Sequence, residues 1–186
     1  KANEAVVTAP ADSAPQGVWK IDHNSRFIQA KGVRLKSANF NSVDAILGQG
    51  SAFAGAFANG VLTHTFLDVN DYHRYHFPVS GTIKEVRTIY ADDAAGGITV
   101  WNPKLNKYEL EDQIPGWQSI ETRACVIIDT EKYGLVAVLP IGMSQVSSVN
   151  FEDNIKVGAK VKKGDPLGYF LFGGSDIVML FQPQAG

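Results

Sequence analysis

The chain holds a single cysteine, Cys125, among 186 residues, so no disulfide can form within it. That cysteine sits in the strand-like run Ala124-Cys125-Val126-Ile127-Ile128 and is expected to be a small buried hydrophobe. Neither sign of charge dominates. Seventeen Lys and Arg against 19 Asp and Glu leave a net charge of −2, which gives no basis for binding nucleic acid or an anionic membrane surface. Long apolar runs are missing too. The longest, from Leu135 to Met143, is interrupted by Pro140 and Gly142 and falls well short of the ~18 residues of a membrane span. No signal peptide is visible, because Lys1-Ala2-Asn3-Glu4 leads straight into a strand-like segment; the abrupt start predicts a missing upstream segment. These absences predict a cytoplasmic protein, soluble or peripheral to a membrane, without a transmembrane segment in this chain.

What is present is a core-forming composition, 45% hydrophobic, which predicts one domain spanning residues 1–186. Eighteen glycines and eight prolines punctuate short β-branched runs. Strands are predicted over 5–8, 17–22, 27–29, 60–67, 81–89, 125–129, 135–141, 146–151, 167–171 and 177–181, which makes the fold mainly β (α+β with few short helices). One helix is predicted over 42–47, with Ser42 as N-cap, and a second over 53–58, where Phe53 and Phe57 share a face. The polar stretch 91–117 predicts a long loop or hairpin. Residues 157–168 predict a hairpin around Lys162-Lys163-Gly164-Asp165, with its lysines along a solvated edge that resists strand-to-strand aggregation.

The titratable side chains are densest at Tyr72-His73-Arg74-Tyr75-His76, where Asn70-Asp71 and Pro78 predict a tight loop or single turn. No cysteine pair and no His-Glu-x-x-His accompanies the two histidines, so no metal is assigned; two loop histidines with structural hydrogen bonds are the competing reading. Asp12, in Pro10-Ala11-Asp12, taken alone is a turn residue, and His23 and His64 are read as structural or exposed. Near the chain's end, Phe172-Gly173-Gly174-Ser175 follows a strand-like run and looks like a place where a chain cuts itself. Glycine before serine permits the strained turn that brings Oγ onto the preceding carbonyl. The hydroxyl needs a base to take its proton, for which a histidine oriented by a carboxylate is the usual arrangement.

Taken together these segments resemble the phosphatidylserine decarboxylase family of pyruvoyl enzymes. Val6-Val7-Thr8-Ala9-Pro10-Ala11-Asp12 is similar to its Pro-Ala-Asp-Gly segment, with Ser13 in place of glycine. Lys31-Gly32 followed by Leu47-Gly48 is similar to its Lys-Gly and Leu-Leu-Gly stretch. The run from Phe66-Leu67 through Asp71-Tyr72-His73-Arg74-Tyr75-His76-Phe77-Pro78-Val79 to Gly81 resembles its strongest motif, and Lys163-Gly164-Asp165 through Gly168-Tyr169-Phe170 to Gly173-Gly174-Ser175 resembles its processing region. The resemblance implies cleavage between Gly174 and Ser175, with Asp12, His76 and Ser175 as the self-cleavage triad and His73 acting in turnover. It implies a covalent pyruvoyl cofactor made from Ser175, which forms a Schiff base with the substrate amine and serves as electron sink when carbon dioxide leaves. It further implies a biotinyl/lipoyl-like hybrid barrel-sandwich, a homodimer, and a cleaved C-terminal chain that stays as partner.

The resemblance also fixes the family-default substrate, a phospholipid head group, with phosphatidylserine converted to phosphatidylethanolamine. Two departures from the family pattern leave a small-molecule substrate, a free L-amino acid, aromatic ones included, as the alternative. Asp176 follows Ser175 where the lipid enzymes usually have threonine, so a carboxylate beside the new pyruvoyl is expected to alter processing or substrate choice. The segment from Pro140 to Ser148 and the aromatics Trp101, Tyr108 and Trp117 also resemble the free-amino-acid branch, although hairpin packing accounts for those aromatics equally well. A non-catalytic hybrid-barrel binding module is the reading of a different class. It lacks a lysine turn of the kind that carries biotin or lipoate and leaves Asp12, His73, His76 and Ser175 without a joint purpose.

Overall fold

A computed structural model of the chain describes residues 3–28, 33–35, 38–40, 42–68, 71–89, 97–102, 107–112, 122–142, 149–171 and 175–185. Gly174, Lys31-Gly32, residues 143–148 and all of the 91–117 stretch except 97–102 and 107–112 therefore lie outside the described residues.

The chain is mainly β with antiparallel pairing, as its composition of short β-branched runs requires. The strands are β1 (Ala14–Lys20), β2 (Val33–Leu35), β3 (Ala38–Phe40), β4 (Val61–Leu67), β5 (Arg74–His76), β6 (Gly81–Ile89), β7 (Gly97–Asn102), β8 (Lys107–Asp112), β9 (Arg123–Asp129), β10 (Leu135–Ile141), β11 (Val149–Phe151), β12 (Lys160–Val161), β13 (Pro166–Phe170) and β14 (Ser175–Phe181). Seven of them form one sheet in the order β1-β4-β14-β10-β9-β6-β12, and β11-β13-β5 form a second. The large sheet is open, with β1 and β12 at its edges. The hairpins β2-β3 and β7-β8 stand as separate two-stranded sheets, the latter within the stretch read as a loop or hairpin.

The central strands β9, β10 and β14 are buried along nearly their whole length, which is why their sequences read as continuous apolar runs rather than alternating ones. Each face of the large sheet carries its own core. On one face Leu67, Ile177 and Met179 pack with Ala11, Tyr75, Phe77, Leu167 and Phe170, the last four contributed by the small sheet or its flanks. On the other, Leu62, Cys125, Leu139 and Val178 pack with Phe27, Phe57 and the helix α1 (Val43–Leu47).

Ser42 caps α1 as expected, its Oγ accepting from Ala45 N–H at 3.3 Å. At the other end of the helix, Arg123 donates from Nε to Ile46 O at 2.9 Å and Arg87 donates to Leu47 O, so two strand arginines satisfy carbonyls the helix leaves open. Among the described residues no helix is long and apolar enough to cross a membrane.

Four local expectations are corrected. Residues 53–58 form successive turns, not a helix: Gly55 takes φ +78°, outside helical space, and the bonds run Phe53 to Ala56 and Gly55 to Ala58. Residues 5–8 form no strand: Val6 N–H turns back to Asn3 O, and the segment is tied down by Thr8, which donates to Pro78 O, and by Lys163 Nζ, which donates to Val6 O, not by a ladder. Residues 72–76 are not a loop or turn throughout, since Arg74–His76 is a strand paired to β13. The lysine turn exists, with Gly164 at φ +89° and Lys162 N–H donating to Asp165 Oδ2 at 2.8 Å, but its flanks do not pair with each other. β12 pairs with β6 and β13 with β5 and β11, so the turn joins two sheets instead of closing a hairpin. Lys160 and Lys162 are exposed on the edge strand β12 and just past it, the solvated-edge role expected of them.

Candidate active site

The segments read as chemistry-bearing meet at one end of the large sheet. Strand β14 begins at Ser175, opposite Leu67, the last residue of β4. On the far side of β4, β1 begins at Ala14, opposite Phe66, so Asp12 lies two residues beyond that same end. From Leu67 the chain leaves the large sheet and enters β5 through Tyr72 and His73. From Phe170 it leaves the small sheet and reaches Ser175 five residues later.

Backbone hydrogen bonds fasten the segments together. His76 N–H donates to Pro10 O at 2.7 Å, which places the Asp12 segment against β5. Phe170 N–H donates to His73 O at 2.8 Å, which holds the end of β13 beside His73. Phe77 N–H donates to Asp165 O and Gly164 N–H to Phe77 O, locking the lysine turn under the strand that carries His76.

Close packing fixes β5 further. Tyr75 is fully buried and donates its hydroxyl to Asn150 O in β11, and burial pushes its phenol up from the ordinary value. Gly168 sits beneath that ring. A Cβ there would lie inside contact distance of the Asn150 carbonyl oxygen and 2.7 Å from the Tyr75 ring and hydroxyl, so β11, β13 and β5 approach this closely only with glycine at 168. Arg74 holds the outer side, donating to Glu152 at 2.8 Å and lying 5.4 Å from the Tyr169 ring.

The candidate residues occupy different environments. Ser175 is fully buried, and its register opposite Leu67 puts its side chain on the sheet face that packs against the small sheet. His76 is half-buried and stacks on Tyr72 at 6.2 Å between centroids; His73 meets Phe170 edge-on at 6.4 Å. Asp12 is exposed. The structure thus brings the Asp12, His73 and His76 segments and Ser175 to one end. Hydrogen bonds from Asp12 to His76 and from His76 to Ser175 are not among those the described residues make. His23 is exposed, its ring nitrogen 3.1 Å from Asn24 Nδ2, and belongs to a distant turn.

Two side chains take places the sequence reading did not give them. Asp176 does not stand beside Ser175 in space. Successive strand residues face opposite sides, so Asp176 points to the α1 face, where its Oδ1 lies 2.8 Å from His64 Nε2. Of its two readings, structural or exposed, exposure is ruled out: His64 is buried at 6% exposure and paired with a carboxylate. The signal for Asp176 was a lone charged residue before the apolar run Ile177-Val178-Met179-Leu180-Phe181, and for His64 a polar residue in step with Leu62 and Phe66 on the inward face of a strand. Cys125 is fully buried, as expected, and burial pushes its thiol up to about 12.

The profile of the family described as phosphatidylserine decarboxylase matches residues 1–186 of this chain. Among curated proteins the chain is similar to decarboxylase iboD of Amanita muscaria, with 34% identity over 79% of this chain and 44% of that protein. It is also similar to the phosphatidylserine decarboxylase proenzyme of Fusobacterium nucleatum (30% identity, 89% of this chain and 56% of that protein). A third relative is phosphatidylserine decarboxylase proenzyme 2 of Oryza sativa, with 31% identity over 98% of this chain and 26% of that protein. The chain therefore spans about half or less of the length of these relatives.

Proposed function

We propose, for a chain that belongs to the phosphatidylserine decarboxylase family, that it forms the catalytic domain of a self-processing, pyruvoyl-dependent decarboxylase. The observation that carries this reading is the convergence of a fully buried Ser175, at the first position of a central strand, with the segments of His73, His76 and Asp12. The names of two relatives, both proenzymes, support it.

His76 takes the proton from Ser175 Oγ, with Asp12 orienting the imidazole after a side-chain movement that its exposure permits. Oγ bonds to the Gly174 carbonyl carbon as the Gly174–Ser175 amide bond breaks, and the freed nitrogen takes up a proton. Loss of the Ser175 α-proton then expels Gly174 as a carboxylate. The dehydroalanine left at 175 takes up water and releases ammonia.

The position suits the group so formed. It is closed to solvent, with Leu67 opposite and Ile177 two residues along the same face. The pyruvoyl carbonyl supplies an electrophile for the substrate amine and a sink for the electron pair left by carbon dioxide. His73, beside Phe170, positions the carboxylate or returns the proton to the substrate α-carbon.

The C-terminal product, residues 175 onward, is held between β4 and β10 by ladders on both edges, so it stays in the sheet as a second chain without a covalent link. The β-sheet arrangement is read as a biotinyl/lipoyl-like hybrid barrel-sandwich, one domain over 1–186, acting as a homodimer in the cytoplasm or at a membrane surface. Phosphatidylserine is the default substrate; a free L-amino acid is the second reading, favoured by the similarity to decarboxylase iboD.

Intact mass tests the processing step. The wild-type chain is expected as two pieces cut before Ser175, and Ser175→Ala and His76→Ala as one. Cleavage persisting in both variants overturns the mechanism. Carbon dioxide release from phosphatidylserine vesicles and from a panel of free amino acids separates the two substrates, and release from neither refutes the decarboxylase reading.

A further inference from the structure

Self-cleavage creates a mechanical problem at the reacting residue. Before the cut, Ser175 is tethered on both sides; afterwards residue 175 is a chain end, and strand ends fray. The ladder to Leu67 and the neighbouring pairing of Asp176 with both Phe66 and Ile141 hold the backbone. A side-chain contact between described residues is added at this level. Asp176 Oδ1 and His64 Nε2 lie 2.8 Å apart and bridge β14 to β4 diagonally, with Asp176 opposite Phe66 and His64 opposite Val178. A carboxylate only accepts, so Nε2 carries the proton and donates.

The pair is enclosed. Asp176 is 2% and His64 6% exposed, and Ile141, Val178, Leu62 and Trp19 lie around them on this face. His64 Nδ1 has no hydrogen-bond partner among the described residues, so Asp176 is the fixed polar attachment of that imidazole. Burial shields the contact from water and salt, which makes it stronger and more directional than the same pair at a surface. It lies on the opposite face from the chemistry, so it can act on residue 175 without touching substrate.

We propose that the His64–Asp176 pair is the anchor that holds residue 175 in place once the chain in front of it has been cut, which makes both positioning residues. The proposal rests on the processing reading above. It predicts an asymmetry: the pair matters little for cutting, when the chain is continuous, and much afterwards.

The test uses Asp176→Thr and His64→Leu, each of which removes the contact from a different strand, and His64→Gln, whose amide nitrogen reaches about as far as Nε2. Each is made in the self-cleaving chain and in the uncut Ser175→Ala chain. Hydrogen exchange of the amides of residues 176–178, which both forms keep, is followed by mass spectrometry, with carbonyl content from hydrazine labelling and turnover per carbonyl group. In the cut protein, losing the contact is expected to raise exchange of that stretch and lower turnover per carbonyl by about tenfold or more, the scale of one charge-assisted buried hydrogen bond. His64→Gln restores both to within about threefold. In the uncut chain the same substitutions change exchange of 176–178 far less.

Cut Asp176→Thr protein with wild-type exchange and turnover overturns the anchor, and so does an equal rise in exchange with and without the cut. If His64→Leu does not fold, Asp176→Thr carries the test alone, because it leaves a histidine and no lone buried carboxylate. A wild-type chain that never cuts refutes the processing reading instead.

Discussion

Replacing Gly168 by alanine tests the packing that holds His76 in place. The added methyl meets the Asn150 carbonyl oxygen and, at 2.7 Å, the Tyr75 ring and hydroxyl. Neither neighbour yields cheaply. The carbonyl belongs to the β11 backbone paired with β13, and the ring is fully buried. Relief requires β11 and β13 to separate or Tyr75 to leave its place, an overpacking cost of about 3 kcal/mol. For a chain of this length that lowers Tm by about 6–12 °C. Thermal unfolding is best followed in the Ser175→Ala background, where one continuous chain unfolds. Gly158→Ala is the control: its φ is +87° with nothing within 4 Å of the added carbon, so it bears only the backbone penalty of about 1 kcal/mol. A Gly168→Ala loss no larger than that of Gly158→Ala refutes the steric account. Because Pro166 pairs with His76 and Gly168 with Tyr75, the same change in the self-cleaving chain is expected to slow the cut as well.

The strands legible in the sequence were those whose pattern is set by burial. Residues 81–89 and 135–141 are strands over the predicted lengths, since each fills an interior position of the sheet, the second entered through Gly134 at φ +77°. Strand β5 was not legible. Its three residues, Arg74, Tyr75 and His76, are a polar and titratable set that no local propensity makes a strand; the pairing comes from β13, far along the chain. The lysine turn misled for a related reason. Its local chemistry was right, but which strands its flanks join is decided by β6 and β5 rather than by the turn.

At the site, residue types and motif order pointed to Ser175, His73, His76 and Asp12, and the backbone brings their segments to one end. The pleat is what a linear reading of Asp176 left out. A neighbour in sequence within a strand is on the opposite face in space, so the carboxylate that follows Ser175 belongs to the other core, with His64. On the anchor proposal, the departure at this position bears on the support of the strand that carries residue 175 rather than on contact with the substrate.

Two further measurements follow from burial. Tyr75→Phe removes the hydroxyl that donates to Asn150 O while keeping the ring over Gly168, so stability falls by about 1 kcal/mol, or about 2–4 °C in Tm. An unchanged Tm means that this bond adds nothing beyond packing. Cys125 offers a pH test. Burial, reinforced by nearby Glu85 and opposed by Arg87 and Arg123, raises its thiol from an ordinary 9.0 to about 12. Above the unfolded value the unfolded chain loses this proton while the folded chain keeps it, so the folded state binds more protons. The thiol's stabilising contribution is therefore complete below pH 9 and declines as pH rises towards 12, by about 1.4 kcal/mol for each pH unit in that window. Tyr75, raised by its own burial, adds a decline of the same sign at higher pH, so the wild-type slope alone does not isolate the thiol. Urea unfolding of wild type and Cys125→Ala at pH 8, 9 and 10 does: the stability gap between them is expected to shift against the wild type between pH 9 and 10. A gap independent of pH refutes the linkage, and thiol alkylation of the folded wild type at pH 8 refutes the burial on which it depends.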